Sequence, residues 1–229
     1  MYEVQYLGHS FFKVKFPKVT VLIDPYIKLE TNSKDFTRLI KCPVSEKHLK
    51  DTDLILVTHE HFDHFDHQAI EDIAKNNKSL VGSSSEILNQ LKISPSLKIQ
   101  LEPNKTFKLR GLSVKPISVH HPTSFCPMGY SVGDENFTVF HSGDTQLMDS
   151  LKSIKADIAF LPIGGGNMTM DVVDAVRTVK MMKPKYAIPM HYNTFKMIKA
   201  QPLEFKEKID KSIIPTKPLI MKVGETIKF

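Results

Sequence analysis

The stretch Thr58-His59-Glu60-His61-Phe62-Asp63-His64 limits what this chain can become more than any other part of it. It follows the apolar run 53–58, which reads as a strand buried on both faces. A lone histidine is more often a core or surface residue, but three histidines and an aspartate in the order H-x-H-x-D-H form a ligand set. Neutral imidazole nitrogens and carboxylate oxygens are the usual ligands of zinc and also serve iron or manganese. His59 and His61, two apart beyond a strand end, can face one metal, and Asp63 and His64, opening the next turn, can face a second.

Three further candidates stand in equivalent settings, each directly after a short apolar run. Val119-His120-His121 follows 112–118, Asp144 follows 137–140, and His191 follows 185–188. Polar groups gathered at the ends of buried strands mark where sheets of this kind carry their sites. Together they supply enough ligands for two metals, with Asp144 suited to bridge them. Between the adjacent histidines, side-chain alternation decides. Ile117 and Val119 share the core face, which puts His121 inward and His120 outward with Ser118. Pro116 is the point at which a bulge would reverse that register.

Around these anchors the pattern predicts strands at 2–7, 10–16, 19–23, 53–58, 97–101, 106–109, 112–119, 129–133, 137–140, 157–162, 186–190, 219–222 and 226–229. Helical spacing appears at 67–76, 84–92, about 170–182 and 202–210. Residues 26–50 are more polar and read as an excursion bordering the site. With 229 residues, no linker-like tract and no repeat, one domain over 1–229 is expected, with sheets packed together and helices outside.

The formal charge of +6 comes almost wholly from lysine, since Arg38, Arg110 and Arg177 are the only arginines. A lysine excess without arginine forks argues for a solvated surface more than for a nucleic-acid partner. Cys42 and Cys126 have neither metal-site nor disulfide-scaffold spacing, the start carries no signal pattern, and no apolar run reaches the roughly 20 residues of a membrane span. A cytoplasmic setting is expected, with a small-molecule substrate, no membrane partner and room for a homo-oligomer.

The ordered set THEHFDH, VHHP, HSGDT and PMHY resembles the metallo-β-lactamase superfamily. The flanking GHS at 8–10, LIDP at 22–25, LPIGGG at 161–166 and MHYNTF at 190–195 are similar to a branch of small prokaryotic metal-dependent hydrolases related to the ascorbate-6-phosphate lactonases. The resemblance runs over the whole chain and is weakest at 26–50. It implies an α+β fold, a four-layer αββα sandwich with the site along one edge of the paired sheets. It implies two divalent ions per chain, zinc first with manganese or iron as alternatives. His59, His61 and His121 would hold one ion, Asp63, His64 and His191 the other, and Asp144 both. Asp24 would orient a ligand histidine from behind, and His9 and His141 would stand just outside the ligand set.

The chemistry this implies is hydrolysis of an ester-like bond by metal-activated water, with Asp63 also orienting that water or accepting its proton. Lactones, thioesters, amides and phosphodiesters all remain open. An RNA-processing phosphodiesterase similar to the tRNA 3′-end endonucleases is the alternative. The run from His121 to Tyr130 and the positive charge favour it, whereas the absence of a long Gly/Pro-rich arm and of a His-Glu-Ala-Thr segment after Asp144 opposes it. Diiron electron-transfer relatives carry glutamate where this chain has His61. A non-catalytic metal-stabilised module would be expected to have lost ligands. His67 and His48 read as surface residues, Asp66 as a surface or capping residue, and Cys126 as a bystander. Gly164–Gly166 reads equally as a tight turn or as a backbone donor site, and Tyr192 and Asn193 equally as oxyanion donors or packing.

Overall fold

Strand alternation sorts the apolar residues of this chain into three layers of core. In the computed structural model, which describes residues 1–28 and 36–229, Val21, Ile23, Leu54 and Leu56 face inward to a central core while Leu22 and Ile55 face the opposite way. These strands are β3 (Thr20–Ile23) and β4 (Leu54–Leu56), flanked by β1 (Glu3–Gly8), β2 (Phe11–Lys15), β5 (Leu80–Ser83) and β6 (Lys98–Gln100). With the C-terminal strand β14 (Thr226–Lys228) they form a sheet in the order β14-β1-β2-β3-β4-β5-β6. Every residue of β4 is buried, as its unbroken apolar run predicts.

The second sheet runs β13-β12-β11-β10-β9-β8-β7. Its members are β7 (Phe107–Leu109), β8 (Leu112–Ser118), β9 (Met128–Gly133), β10 (Thr138–His141), β11 (Ile158–Pro162), β12 (Tyr186–Met190) and β13 (Lys217–Pro218). Val114, Tyr130, Val132, Val139, Phe160 and Ile188 meet the inner face of the first sheet, with the rings of Phe12 and Phe160 stacked at 4.1 Å. Each such fully buried side chain contributes about 1.5–3 kcal/mol.

Helices cover the outer faces. On the first sheet α1 (His67–Asn77) sets Ile70, Ile73 and Ala74 against Leu22, Ile55 and Val81, and α2 (Ser85–Leu88) adds Ile87 and Leu88. On the second, α3 (Val172–Met182) and α4 (Pro202–Asp210) bury Ala175, Val176, Val179, Phe205 and Ile209 against Ala159, Leu161 and Ala187. The order helix, sheet, sheet, helix is the expected αββα sandwich. Asp66 caps α1, its carboxylate accepting from the Ala69 amide at 3.3 Å. Among the described residues no helix is long and apolar enough to cross a membrane.

Three elements differ from the pattern reading, the first being β5, a buried strand between α1 and α2 that the pattern did not give. The helix expected at 84–92 closes at Leu88, and the Lys92 amide turns to Glu71 Oε1 of α1 at 2.7 Å instead of to its own helix. The strand expected at 219–222 is instead β13, two residues earlier. Leu219 still donates to the Ala187 carbonyl, but Lys222 donates to its neighbour Glu225, which turns the chain toward β14. Of the 26–50 excursion, residues 29–35 lie outside the described residues. The described part does border the site: Tyr26 and Phe36 pack with Phe195 and Ile198 beside it.

Candidate metal centre

Strand direction gathers the ligand candidates. β3 and β4 are parallel, as are β10, β11 and β12, and β8 points with β10 because both pair antiparallel with β9. The segments leaving β4, β8, β10 and β12 therefore emerge at one end of the sandwich, where the Met128 amide ties the sheets together by donating to the Thr58 carbonyl at 3.0 Å. Gly143 permits this approach: a Cβ there would meet Met128 O at 2.9 Å and Thr58 Cβ at 3.0 Å, and its φ of +59° suits glycine.

His59, His61 and His121 form the first group, one ring nitrogen of each lying within 4.8 Å of the others. Each ring is fixed by its far nitrogen. His59 Nδ1–H donates to Thr58 Oγ1 at 2.9 Å, and that hydroxyl donates on to Asp24 Oδ2 at 2.7 Å. His61 Nε2–H donates to the Thr123 carbonyl at 3.2 Å, and His121 Nδ1–H to the Met168 carbonyl at 2.9 Å. His61 Nδ1 and His121 Nε2 then face each other at 3.1 Å. The β8–β9 register is continuous through Pro116, so the alternation holds: His121 is buried and His120 exposed.

Asp63, His64 and His191 form the second group, with His9 beside them. His64 Nδ1–H donates to Asp24 Oδ2 at 2.7 Å, so Asp24 does stand behind a ligand candidate, and His9 Nε2 meets Asp63 Oδ2 at 3.0 Å. Asp144 lies between the groups. Its Oδ1 is 3.3 Å from His64 Nε2, and its Oδ2 is 3.0, 3.9 and 4.0 Å from Nε2 of His191, His121 and His59.

His59 Nε2, His64 Nε2 and Asp144 Oδ1 are buried without a hydrogen bond, the last two facing each other only as an ion pair at 3.3 Å, and the three residues each bring a possible ligand atom within 4.8 Å of the others. A buried polar atom left unpaired costs about 1–3 kcal/mol, and three aimed at a common point fit a cation there. Electrostatics agree. Burial, reinforced by His64, pushes the His59 imidazole well below its ordinary range and keeps it neutral. Burial would raise the carboxylates, but His191 and His64 outweigh it and hold Asp63 and Asp144 well below theirs, so both are anionic. Burial and the neighbouring His191 bring His9 down to about 4.

The backbone is strained at this end. His9, Asp24, His191 and Asn193 have φ between 51° and 59°, a region side chains other than glycine rarely adopt. One bond joins two of them, the His191 amide donating to the His9 carbonyl at 2.9 Å. Gly164 lies against this turn, where a Cβ would meet His191 O at 2.3 Å. The Gly164–Gly166 segment is thus a tight turn that closes by Gly165 N donating to Met170 O and delivers the Met168 carbonyl to His121.

Other candidates fall outside the cluster. His141 Nε2–H donates to the Ser10 carbonyl at 2.9 Å behind the site. Tyr192 packs into the core beneath α3 and α4, and Asn193 Oδ1 accepts from the Ala200 amide. His48 and His67 are exposed. Burial pushes the Cys126 thiol up to about 11. Pattern reasoning missed the parts played by Thr58, Glu60 and the Met168 carbonyl. Thr58 and Glu60 stand inside the motif itself, but nothing local says what they touch.

A profile of the beta-lactamase superfamily domain matches residues 3–191. The UPF0173 metal-dependent hydrolase of Staphylothermus marinus is 37% identical over 236 residues, covering 99% of this chain and 98% of that one. Among solved structures, Igni18, a novel metallo hydrolase from the hyperthermophilic archaeon Ignicoccus hospitalis, matches with a TM-score of 0.84 and 32% identity over 100% of this chain and 99% of that one. An isothiocyanate hydrolase from Delia radicum gut bacteria shares the fold, with a TM-score of 0.80 at 19% identity over 99% and 98% of the two chains.

Proposed function

The chain belongs to the metallo-β-lactamase superfamily and is a metal-dependent hydrolase, and on that premise we propose that it uses two divalent ions to hydrolyse an ester-like bond in a small molecule. One observation carries the proposal: Asp144 lies within 4.0 Å of histidines from both ligand groups, and its Oδ1 has no other partner. His59, His61 and His121 would hold one ion, Asp63, His64 and His191 the other, and Asp144 both. Zinc suits the nitrogen-rich set best, with manganese or iron as alternatives. When bound, such ions polarise the scissile oxygen and lower the pKa of water at the site.

The protein's own contribution is orientation and proton handling. Thr58, Asp24, Thr123 and Met168 fix which nitrogen of the His59, His64, His61 and His121 rings is left free. Asp63 is the more accessible of the two central carboxylates, its side chain 12% exposed against 4% for Asp144. It orients the attacking water and accepts its proton, while His9 Nε2 holds its Oδ2 in place. The reading takes residues 1–229 as one domain working in a reducing, cytoplasmic setting, with Cys42 and Cys126 unpaired. Metal analysis of the purified chain, joined to a panel of lactone, thioester, amide and phosphodiester substrates, tests it. Two ions per chain and turnover abolished by a chelator are expected; a plateau at one ion, or chelator-insensitive turnover, refutes it.

A further inference from the structure

Glu60 sits between His61 and His59 in the motif, yet the hydrogen bonds of its carboxylate go to neither ligand group. Its carboxylate reaches the loop that carries His121. Oε2 accepts from the Ser124 hydroxyl at 2.7 Å and from the Cys126 thiol at 3.5 Å, and Oε1 accepts from the Phe125 amide at 3.1 Å. The Ser124 hydroxyl in turn accepts from the Cys126 amide at 3.3 Å, and the Ser124 amide donates to the His121 carbonyl at 3.1 Å. One carboxylate thus organises a whole turn, and that turn begins at a ligand candidate. The same turn presents the Thr123 carbonyl to His61 Nε2 at 3.2 Å, and Glu60 Oε1 lies 4.0 Å from that nitrogen.

We propose that Glu60 is a positioning residue for the first metal site, clamping the 121–126 turn onto the ligand loop so that His61 keeps its proton on Nε2 and turns Nδ1 toward His121. The clamp is needed here because the His61 side chain is 26% exposed, while those of His59, His64 and His191 are 6% exposed or less and are held by packing. A charged acceptor suits the task. Three donors converge on Glu60, and a carboxylate offers about four lone-pair sites where a neutral amide oxygen offers two. The alternative reading, a solvated glutamate of no consequence, does not explain why its side chain is 13% exposed and saturated by one turn.

The inference rests on the two-ion reading above, so the test carries one arm that needs no metal. In the metal-free chain at about pH 8, long-range ¹H–¹⁵N NMR reports each histidine's tautomer. Wild type should show His61 protonated on Nε2, whereas Glu60→Ala and Ser124→Ala should show a tautomer mixture at His61 and an unchanged His64. In the second arm, cobalt or zinc titration should show one of two ions weakened about 10- to 100-fold by Glu60→Ala, the usual cost of losing an outer partner, and the other unchanged. Glu60→Gln, retaining one acceptor oxygen, should restore part of the loss. Unaltered His61 tautomer and affinities in both alanine variants would overturn the inference. So would equal weakening of both ions with a parallel fall in the metal-free melting temperature, the mark of general loosening. Absence of metal uptake by wild type would refute the two-ion reading itself, leaving the tautomer arm to judge the clamp.

Discussion

In the His59–His61–His121 half of the centre, every ring leans on a neutral oxygen: the Thr58 hydroxyl, the Thr123 carbonyl and the Met168 carbonyl. In the Asp63–His64–His191 half, the partners are carboxylates, Asp24 behind His64 and Asp144 beside His191. His59 and His121 on one side and His64 and His191 on the other are therefore held in two different electrostatic states. Burial opposes charge on His64 and His191, but Asp144 with Asp24 or Asp63 outweighs it, raising His64 well above its ordinary range and His191 to about 9. His59 and His121 move the other way, chiefly through burial. The lesson is that one half is stabilised by internal ion pairs, while in the other burial disfavours charge on His59 and His121.

Asp144 is the point at which this contrast should break down. Asp144→Ala should bring hydrolysis to background and weaken both ions by more than the about 100-fold expected from losing an outer partner. Paired metal titration and kinetics check this. Wild-type turnover in that variant would remove Asp144 from the centre.

Removing a ligand from one half should separate the two. His121→Ala should empty the neutral half and abolish turnover while the second ion still binds, and His191→Ala should do the reverse. His120→Ala, at an exposed position, should stay within about twofold of wild type in both measurements. Swapped phenotypes for the neighbouring histidines would transfer the ligand role to His120.

Asp24→Asn sharpens the contrast from behind. Its carboxylate accepts from the Thr58 amide, the Thr58 hydroxyl and His64 Nδ1. The direct bond is to His64, so affinity in the carboxylate half should fall about 10- to 100-fold and that of the neutral half less. Equal losses would show that the Thr58 relay to His59 matters as much as the direct bond.

Without any substitution, the contrast should also appear as a proton linkage confined to one half. With His191 raised to about 9 in the metal-free chain against an ordinary 6.5, its contribution to stability is full below about 6.5 and is lost as pH rises through about 9. Metal binding there must expel the proton, so affinity should rise with pH over that window by about tenfold per unit for each proton released. Melting curves of the metal-free chain, and calorimetric titrations in buffers of differing ionisation heat, measure both. A flat metal-free profile from pH 6.5 to about 9 would remove the ion pair from the account.

His59, His61, Asp63 and His64 could be read directly because they lie within six residues, where spacing alone fixes their proximity. His121 needed only period-two alternation, and Asp144 and His191 only the rule that sites gather at strand ends. The fold was legible for the same reason, since β4 announces itself by an unbroken apolar run. Local pattern failed where a partner distant in sequence intervenes. Glu71, 21 residues away, takes the Lys92 amide and shortens α2.

The sequence by itself thus determined the candidate ligand residues and the layers, because short-range periodicity and composition encode both. Only the tertiary structure decided how those side chains are aimed. Asp24 meets His64 across 40 residues, Glu60 meets Ser124 across 64, and His9 meets Asp63 across 54. Each is a hydrogen bond whose approach is set by strand pairing within the first sheet or, for Glu60 and Ser124, by how the two sheets pack. Such a bond leaves no period in the chain, since only the packed fold brings its two ends within 3 Å of each other.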